Sequence, residues 1–516
     1  MKKFNFLYRI LFASLIFSMA CTDLSEVPYN HLSPDNFNKT KKQVEATVKG
    51  VYESLASPHD WRYSFMHGDV STDMGIIPTR AGGWNSSGER NYHEHSWDAG
   101  MEYNRRVYYF YSTTIGKANF GIEVIQDKEK FYQEIAELRF LRAFAYLQMM
   151  DLFGNVPIVT TAVQDPNALA GNAPLEEQRA KVFQFVEEEL LAVAEELPAK
   201  KDVDAGYYPR ATQETAWGFL AKLYLNAEVY SGQARWADCI TYCDKVIDSG
   251  AFSITSEYGS LSEAFRYDNQ RSEENIFTSV KSSLAGGQSN ALICNSLQMQ
   301  IELSWKLQMP QNGWGGFSVM KSHYDKYDED DYRRSLILYG PQFMDDGTPL
   351  YNGANRDGNG KPENGQFEIT EVFDIMDAAA SEGLKSTKYQ VDPDQMSGGA
   401  SNDVVILRYA DILLSKAEAL IRQNGIGAGD DLINQVRARN FETPKPLINA
   451  GLDEILLERE FEFSIEGHRR TDLIRFGKFI NLDYKWKQNK DSFRKLYPIP
   501  LDEVDRNINL FQNPGY

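Results

Sequence analysis

The sequence contains little cysteine and few histidines, which limits how the fold can be stabilised. Only four cysteines occur in 516 residues, and Cys239 and Cys243 lie four apart in a helical pattern typical of two small core residues. A disulfide scaffold is therefore not expected, and a zinc site would lack clustered ligands. We expect stability to come from packing.

Positive charge is also scarce. Lysine and arginine total 54 against 73 aspartate and glutamate residues, giving a formal net charge of −19. Such an acidic body argues against nucleic acid or anionic lipid headgroups as partners. After the first 20 residues, no stretch is long and apolar enough to predict a transmembrane helix.

The N-terminus carries a different signal. A basic start with Lys2, Lys3 and Arg9 precedes a short apolar run, Ile10–Ala20, and then Cys21. This pattern predicts a secretory signal peptide over residues 1–20. A cysteine at the cut point suggests a bacterial lipoprotein in which Cys21 is lipidated; plain secretion with an unmodified Cys21 is the alternative. Without the leader, the net charge is near −22.

Helical patterns dominate the rest of the chain. Thr40 and Gln43 have capping-box spacing, and Glu134–Asp151 is apolar on two faces until Gly154 and Pro157 end it. Further helices are predicted at about 101–127, 176–196, 409–423, 428–440 and 452–466. A helix opened by Thr212 and its partner Trp236–Ile247 resemble one tetratricopeptide-type hairpin.

Two regions have a different character, because Gly, Asn, Asp and Ser interrupt them every few residues. They are the loop 58–100, with Trp84 near its centre, and the longer stretch 255–400. Long loops in a helical frame are uncommon unless they are functional. We therefore interpret them as two sides of a binding surface, in an N-terminal region 21–254 and a C-terminal region 255–516.

Several motifs, in order along the chain, resemble the RagB/SusD family. The motifs are Ala136–Tyr146 continuing through Leu152–Pro157, Arg408–Leu414 with Ala417–Ala419, Glu458–Phe463 with Glu466–Arg470 and Asp472–Gly477, and the ending Tyr497–Pro500 with Gln512–Tyr516.

The resemblance implies a fold and a function. The fold is all-α, a SusD-like arrangement of tetratricopeptide-like hairpins with a loop-rich inserted subdomain. Such proteins are cell-surface, outer-membrane lipoproteins that bind nutrient glycans, less often peptides, above a SusC-like TonB-dependent transporter. No catalytic group, cofactor or metal is implied. The motif arginines Arg139, Arg142, Arg408 and Arg469 are expected to pair with carboxylates such as Glu137, Glu418 and Glu466 inside the frame.

Candidate glycan-binding residues come from the two loop regions. A sugar ring offers apolar faces to aromatic side chains and hydroxyl groups to Arg, Asp or Asn. In the first region these are Trp84 beside Asn85, flanked by Asp73 and Arg80. The alternative for Trp84 is packing of its own loop.

In the second region the candidates are Trp305 and the glycine-flanked Trp314, followed by Cys294 and Tyr389. An exposed tryptophan at a loop tip suggests use in binding.

Other polar patterns favour structural roles. His93 and His95 lack an evident third metal ligand, and Trp97 is expected to anchor the core. Asp328–Asp331 could hold calcium through carboxylate oxygens, although a solvated acidic turn is favoured.

Two further functions stay open from the sequence alone. A glycoside hydrolase would need two carboxylates facing each other across a cleft, such as Asp69 or Asp73 with a partner from the second region. A peptide ligand would suit a deep groove with charged ends rather than a flat aromatic surface.

Overall fold

The computed structural model describes residues 40–56, 61–80, 84, 88–162, 171, 173–281, 306–307, 313–351, 365–391 and 400–516. Within them, the α-helices are α1 (Lys41–Ser54), α2 (Gly88–Glu94), α3 (Glu102–Val124), α4 (Tyr132–Leu152), α5 (Leu175–Glu196), α6 (Gln213–Leu225), α7 (Ala227–Ser231), α8 (Trp236–Asp248), α9 (Lys321–Tyr324), α10 (Tyr332–Ser335), α11 (Tyr409–Asn424), α12 (Asp430–Arg437), α13 (Leu452–Glu462), α14 (Arg469–Arg475) and α15 (Leu501–Arg506). A π-helical segment, Trp61–Val70, precedes α2.

Strands are short and form two-stranded antiparallel ladders. The strands are β1 (Gly75–Ile76), β2 (Asn275–Ser279), β3 (Ser318–Val319), β4 (Ile337–Leu338), β5 (Gly340–Pro341), β6 (Glu368–Ile369), β7 (Lys385–Ser386) and β8 (Val404–Arg408). The pairs are β1 with β3, β2 with β8, β4 with β7 and β5 with β6. Such small sheets do not form a layer of their own, so the fold is helical.

The helical frame is a succession of packed neighbours. Helix α3 packs on α4, α4 on α5, α5 on α6, α6 on α8 and α8 on α11. The predicted hairpin of α6 and α8 is thus confirmed, with the short α7 in its connection. None of the helices in the described ranges is long and apolar enough to cross a membrane.

Local sequence signals set the helix ends. Thr40 and Gln43 form the predicted capping box of α1, and Thr212 caps α6. Gly154 takes a positive φ of 66° just after α4, a conformation that favours glycine at a helix end. The predicted end of that helix is therefore confirmed.

Helix α4 lies at the centre of the main core. Leu138, Leu141, Phe140 and Phe144 are all fully buried, so the helix is buried on two faces as predicted. Cys239 and Cys243 are buried core residues, which confirms their predicted role. The same core includes residues from both sides of position 254, and the division of the chain there stays a prediction.

The motif arginines are structural, as predicted, although most partners differ from those suggested. Arg408 does bind Glu466, with Nε to Oε2 at 2.8 Å. Arg139 and Arg142 both bind Glu189 rather than Glu137. The actual partner of Glu137 is Arg210, and that of Glu418 is Arg475.

A buried charge network surrounds the C-terminal end of α13. The Oε1 atom of Glu462 accepts hydrogen bonds from Arg408 at 2.7 Å and Arg439 at 2.6 Å, and its Oε2 accepts from Arg333 at 3.1 Å. All four side chains are at most 2% exposed. Although burial alone would raise it, Arg439, Arg408 and Arg333 hold the pKa of Glu462 well below its usual range.

Candidate functional site

Trp84 and Trp314 lie together where the two loop regions meet. The indole Nε1 of Trp84 donates a 2.8 Å hydrogen bond to the backbone carbonyl of Trp314, which is 230 residues further along the chain. Both side chains are half-buried, with one part against the main core and another part accessible. We call these two residues the aromatic pair.

The Trp84 ring packs directly against the backbone of a glycine, Gly316. A methyl group added at Gly316 would lie 2.3 Å from Cζ2 of the Trp84 ring, which is far inside van der Waals contact. The ring therefore rests directly on the backbone at Gly316 and is fixed in one orientation. Such an ordered, partly accessible aromatic surface suits the apolar face of a ligand ring.

Arg80 joins the two loop regions, and its predicted contact with a ligand stays a prediction that its burial does not favour. Its side chain is buried, and its guanidinium donates to the carbonyls of Ala379 and Glu382 and to the hydroxyl of Ser318. Burial lowers the pKa of Arg80 to about 10. Its role in the structure is to join the first loop region to the second.

Backbone hydrogen bonds reinforce this joint. Strand β1 pairs with β3, so that Gly75 lies opposite Val319. Nearby, the Thr79 amide donates to the Ile375 carbonyl at 2.9 Å, and the Ala378 amide donates to the Thr79 carbonyl at 2.9 Å. The described parts of the two loop regions are therefore joined by backbone hydrogen bonds, and their role as a binding surface stays a prediction.

Asp73 lies in an ion-pair cluster, and its predicted contact with a ligand stays a prediction. Its carboxylate accepts from Arg469 Nε at 2.9 Å and Lys326 Nζ at 2.9 Å, and the side chain is 7% exposed. Although burial alone would raise it, Arg469 and Lys326 hold the pKa of Asp73 far below its usual range. Asp73 thereby anchors the first loop region to α14.

Tyr389 is a core residue, contrary to its predicted place on the ligand surface. Its side chain is 6% exposed and meets the Phe265 ring edge-on at 5.0 Å. The Tyr389 hydroxyl accepts a 3.0 Å hydrogen bond from the Val405 amide. Every polar atom of this side chain is thus used inside the fold.

Four other residues with predicted roles lie outside the described residues. They are Asn85, Trp305, Cys294 and the lipidation candidate Cys21, together with the signal peptide 1–20. Their roles stay predictions.

The predicted structural roles of His93, His95 and Trp97 are confirmed. His93 Nε2 lies 2.8 Å from the Lys485 carbonyl, and His95 Nε2 lies 2.8 Å from the Ser71 carbonyl. Trp97 is 1% exposed. In the described part of the chain, no group of three or more His, Cys, Asp or Glu side chains is placed to hold a metal ion.

The acidic stretch 328–331 is less exposed than predicted. Asp331 is 3% exposed because its carboxylate caps α10 and binds Arg333 at 2.7 Å. Asp328 is partly exposed and binds Lys445 at 2.9 Å. The expectation of a solvated turn therefore holds for Asp328, Glu329 and Asp330 and is wrong for Asp331.

Asp69 is a buried carboxylic acid with one oxygen unsatisfied. Its Oδ2 accepts from the Gly467 amide at 2.9 Å, and Oδ1 has no hydrogen-bond partner in the described part of the chain. Burial, with a smaller contribution from Glu466, raises the pKa of Asp69 to about 7, while the Gly467 and Arg469 amides and Lys388 oppose this rise.

We expect Asp69→Asn to stabilise the protein at pH 8 by about 2–4 kcal/mol, since each pKa unit corresponds to about 1.4 kcal/mol. An acid whose pKa is raised on folding destabilises the folded state increasingly as the pH rises from 3.8 to about 7. The gain should therefore grow over that interval and be small at pH 4. Urea unfolding of both proteins at several pH values measures it.

Asp73→Asn is the matched control for Asp69→Asn. Because the pKa of Asp73 is lowered on folding, this substitution should destabilise the protein at pH 8. A destabilised Asp69→Asn, or a gain independent of pH, would contradict the assignment of Asp69 as an unpaired buried acid.

Sequence analysis also missed a partly exposed tryptophan, Trp486. It lies in the loop after α14 and lines a separate cleft beside Met320 and Val372. The sequence feature that could have identified Trp486 is the lysine on each side of it, because charged residues seldom flank a core tryptophan.

Comparison with known proteins identifies relatives over most of the chain. A model described as the SusD family matches residues 273–516, and a model described as starch-binding associating with outer membrane matches residues 23–225. The chain is 27% identical over 465 residues to the starch-binding protein SusD of Bacteroides thetaiotaomicron, covering 82% of this chain and 80% of that protein. It is 26% identical to SusD-like protein P2 of Formosa agariphila, covering 100% of both chains.

Solved structures share the fold. A SusD homologue from Bacteroides thetaiotaomicron has a TM-score of 0.75 at 21% identity and covers 94% of this chain and 98% of its own. Surface glycan-binding protein A from the same organism, in complex with laminarihexaose, has a TM-score of 0.71 at 21% identity and covers 92% and 99%. At these identities the likeness establishes the fold, and the predicted all-α architecture is confirmed.

Proposed function

Because the chain belongs to the SusD family, we propose that it is a lipid-anchored protein of the outer membrane that captures an oligosaccharide or polysaccharide at the cell surface. It delivers this glycan to a SusC-like TonB-dependent transporter. It binds the glycan without cleaving it.

One observation carries the proposal, namely the aromatic pair. Trp84 and Trp314 come from different loop regions, are joined by a hydrogen bond and are both half-buried, and the Trp84 ring packs against Gly316. An exposed, ordered indole surface is costly to maintain in water unless it binds a ligand. The apolar faces of pyranose rings match this surface.

The surroundings of the pair favour capture over chemistry. Glycoside hydrolysis requires two carboxylates facing one another at about 5–10 Å across the scissile bond. Asp73, one of the acids considered for that role, is bound to Arg469 and Lys326, and Asp69 is buried against Gly467. The ionised and protonated acids of this region therefore serve the fold.

Relatives support the glycan as ligand class and the outer membrane as location. One relative is named a starch-binding protein, a structural neighbour is in complex with laminarihexaose, and one matching family model is described as associating with outer membrane. Lipidation of Cys21 would supply the anchor, and the transporter as receiving partner rests on family membership. Because the ligand must pass on, we expect affinities from about micromolar to millimolar.

A retardation gel with a panel of plant, microbial and host polysaccharides tests the function. We expect one class of polysaccharide to retard the mature chain, no reducing ends to be released, and Trp84→Ala to lose the retardation. Trp236→Ala is the matched control, because Trp236 is also half-buried but lies in α8 of the helical frame.

Three outcomes would contradict the proposal. Release of reducing ends would indicate an enzyme. Retardation by no polysaccharide would favour a peptide ligand. Equal loss in Trp84→Ala and Trp236→Ala would show that binding does not depend on the aromatic pair.

A further inference from the structure

A second cleft lies beyond the aromatic pair, on the other side of the β1–β3 ladder. It has a volume of about 240 Å³ and is lined by α9 and its flanks, by Glu371 and Val372, and by the loop 482–486. Neither Trp84 nor Trp314 lines it. An engineered protein cavity of about 150 Å³ already holds a benzene ring, so this cleft has room for one substituted six-membered ring.

The apolar wall of the cleft includes a tryptophan in a strained backbone conformation. Trp486 has a φ of +69°, which a bulky residue rarely adopts and which costs about 1–3 kcal/mol. Its ring packs against the small core cluster that contains Met320 and Val372. Strain of this kind persists only where neighbouring contacts fix the backbone.

Those contacts are present on both sides of Trp486. Lys487 Nζ donates to the carbonyls of Phe479, Ile480 and Leu482 at 2.7–3.0 Å, which closes the loop on itself. The Lys485 carbonyl lies 2.8 Å from His93 Nε2. The backbone on both sides of Trp486 is thereby held in place, on one side against the first loop region.

Among the described residues, the polar lining has three ammonium groups and three carboxylates, each of which is also in an ion pair. Lys321, Lys326 and Lys485 supply ammonium groups, and Asp73, Glu371 and Asp483 supply carboxylates. At the base, Lys326 Nζ binds Asp73 at 2.9 Å and Glu460 at 2.6 Å, and its side chain remains 33% exposed. Ser322 stands exposed at the rim.

We propose that this cleft is a second saccharide site, which binds a single neutral pyranose ring independently of the aromatic pair. Ammonium and carboxylate groups that line the same cleft can donate to and accept from the hydroxyls of a sugar ring. The balance of charges disfavours a charged ligand, and Trp486 offers an apolar surface to the C–H groups of the ring. The choice of a saccharide rests on the proposed function, whereas the geometry of the cleft does not.

Fluorine NMR of the mature chain labelled with 5-fluorotryptophan tests this site. The chain has eight tryptophans, and Trp486→Gly assigns the relevant signal, since glycine tolerates the positive φ. D-Glucose, D-galactose, D-mannose and D-xylose are titrated separately to about 100 mM, with D-glucuronate as the charged comparison. At least one neutral sugar should shift the Trp486 signal saturably, with half-saturation at about 1–10 mM.

Two variants separate this site from the aromatic pair. Ser322→Tyr adds a ring at an exposed rim position and should weaken the Trp486 response about tenfold or more while the protein remains folded. Trp84→Ala should leave the response unchanged. If no polysaccharide retards the unsubstituted chain but a neutral sugar still shifts the Trp486 signal, only the proposed function of the aromatic pair is overturned.

Other results would overturn the second site. These are the absence of a saturable Trp486 shift with all four neutral sugars, a shift with glucuronate alone, an unchanged response in Ser322→Tyr, or loss of the response in Trp84→Ala.

Discussion

A Glu462→Ala variant is expected to lose about 3–5 kcal/mol of unfolding free energy, because it removes the shared carboxylate of three buried arginines. Arg408 would still bind Glu466 and Glu274, Arg439 would still bind Glu274, and Arg333 would still bind its other carboxylates, but each arginine would lose one buried hydrogen-bond partner. A buried charged donor that loses its partner costs far more than a lost surface contact. Since whole domains are stable by only about 5–15 kcal/mol, much of the variant should be unfolded at moderate urea concentration.

The control for Glu462→Ala is Glu53→Ala. Glu53 forms an exposed ion pair with Lys49 at 3.8 Å in α1, and its loss should cost about 0.5 kcal/mol or less. Urea unfolding followed by circular dichroism compares the two. Similar costs for both variants would mean that the buried network adds little to stability.

The second large effect is expected from Gly316→Ala. The added methyl would overlap the Trp84 ring, so the indole must leave its place although alanine fits the backbone there. If the aromatic pair binds the glycan, affinity should fall about 30-fold or more, which corresponds to the roughly 2 kcal/mol typical of a central tryptophan. Retardation gels, or calorimetry with the polysaccharide found in the panel, measure this loss.

Gly116→Ala is the matched control, because nothing lies within 4 Å of a methyl group added at Gly116 in α3. It should bind normally and be slightly stabilised, as alanine favours a helix over glycine. Normal binding by Gly316→Ala, with a normal melting curve, would argue that Trp84 does not contact the ligand.

The helical frame could be predicted from the sequence because its determinants are local. These determinants are the spacing of apolar residues, the N-cap residue Thr40 and the positive-φ residue Gly154. Each lies within a few residues of the helix that it defines. The helix predicted at 452–466 ends at Glu462, because the following residues turn so that Glu466 can reach Arg408 and Lys388. The end of this helix therefore depends on ion pairs with residues that are distant in the sequence, and local spacing does not reveal them.

The candidate site was only partly predictable for the same reason. Trp84 and Trp314, which the sequence singled out in different loop regions, do meet. Asp73 and Arg80 were predicted to reach a ligand because they flank Trp84 in the first loop region and because their side chains can bind sugar hydroxyls. Their actual partners, Arg469 for Asp73 and the carbonyls of Ala379 and Glu382 for Arg80, lie about 300–400 residues away in the sequence. Spacing cannot reveal such contacts, nor the positive φ of Trp486.

Arg80 has a further consequence for the thermodynamics and kinetics of capture. Because its guanidinium holds both loop regions together before any ligand arrives, the conformational entropy of ordering them is lost during folding and not during binding. A glycan would then meet a preorganised surface, and association should proceed without a slow loop rearrangement. Low affinity in this protein would arise from rapid dissociation, which is the property that allows a captured chain to be handed on.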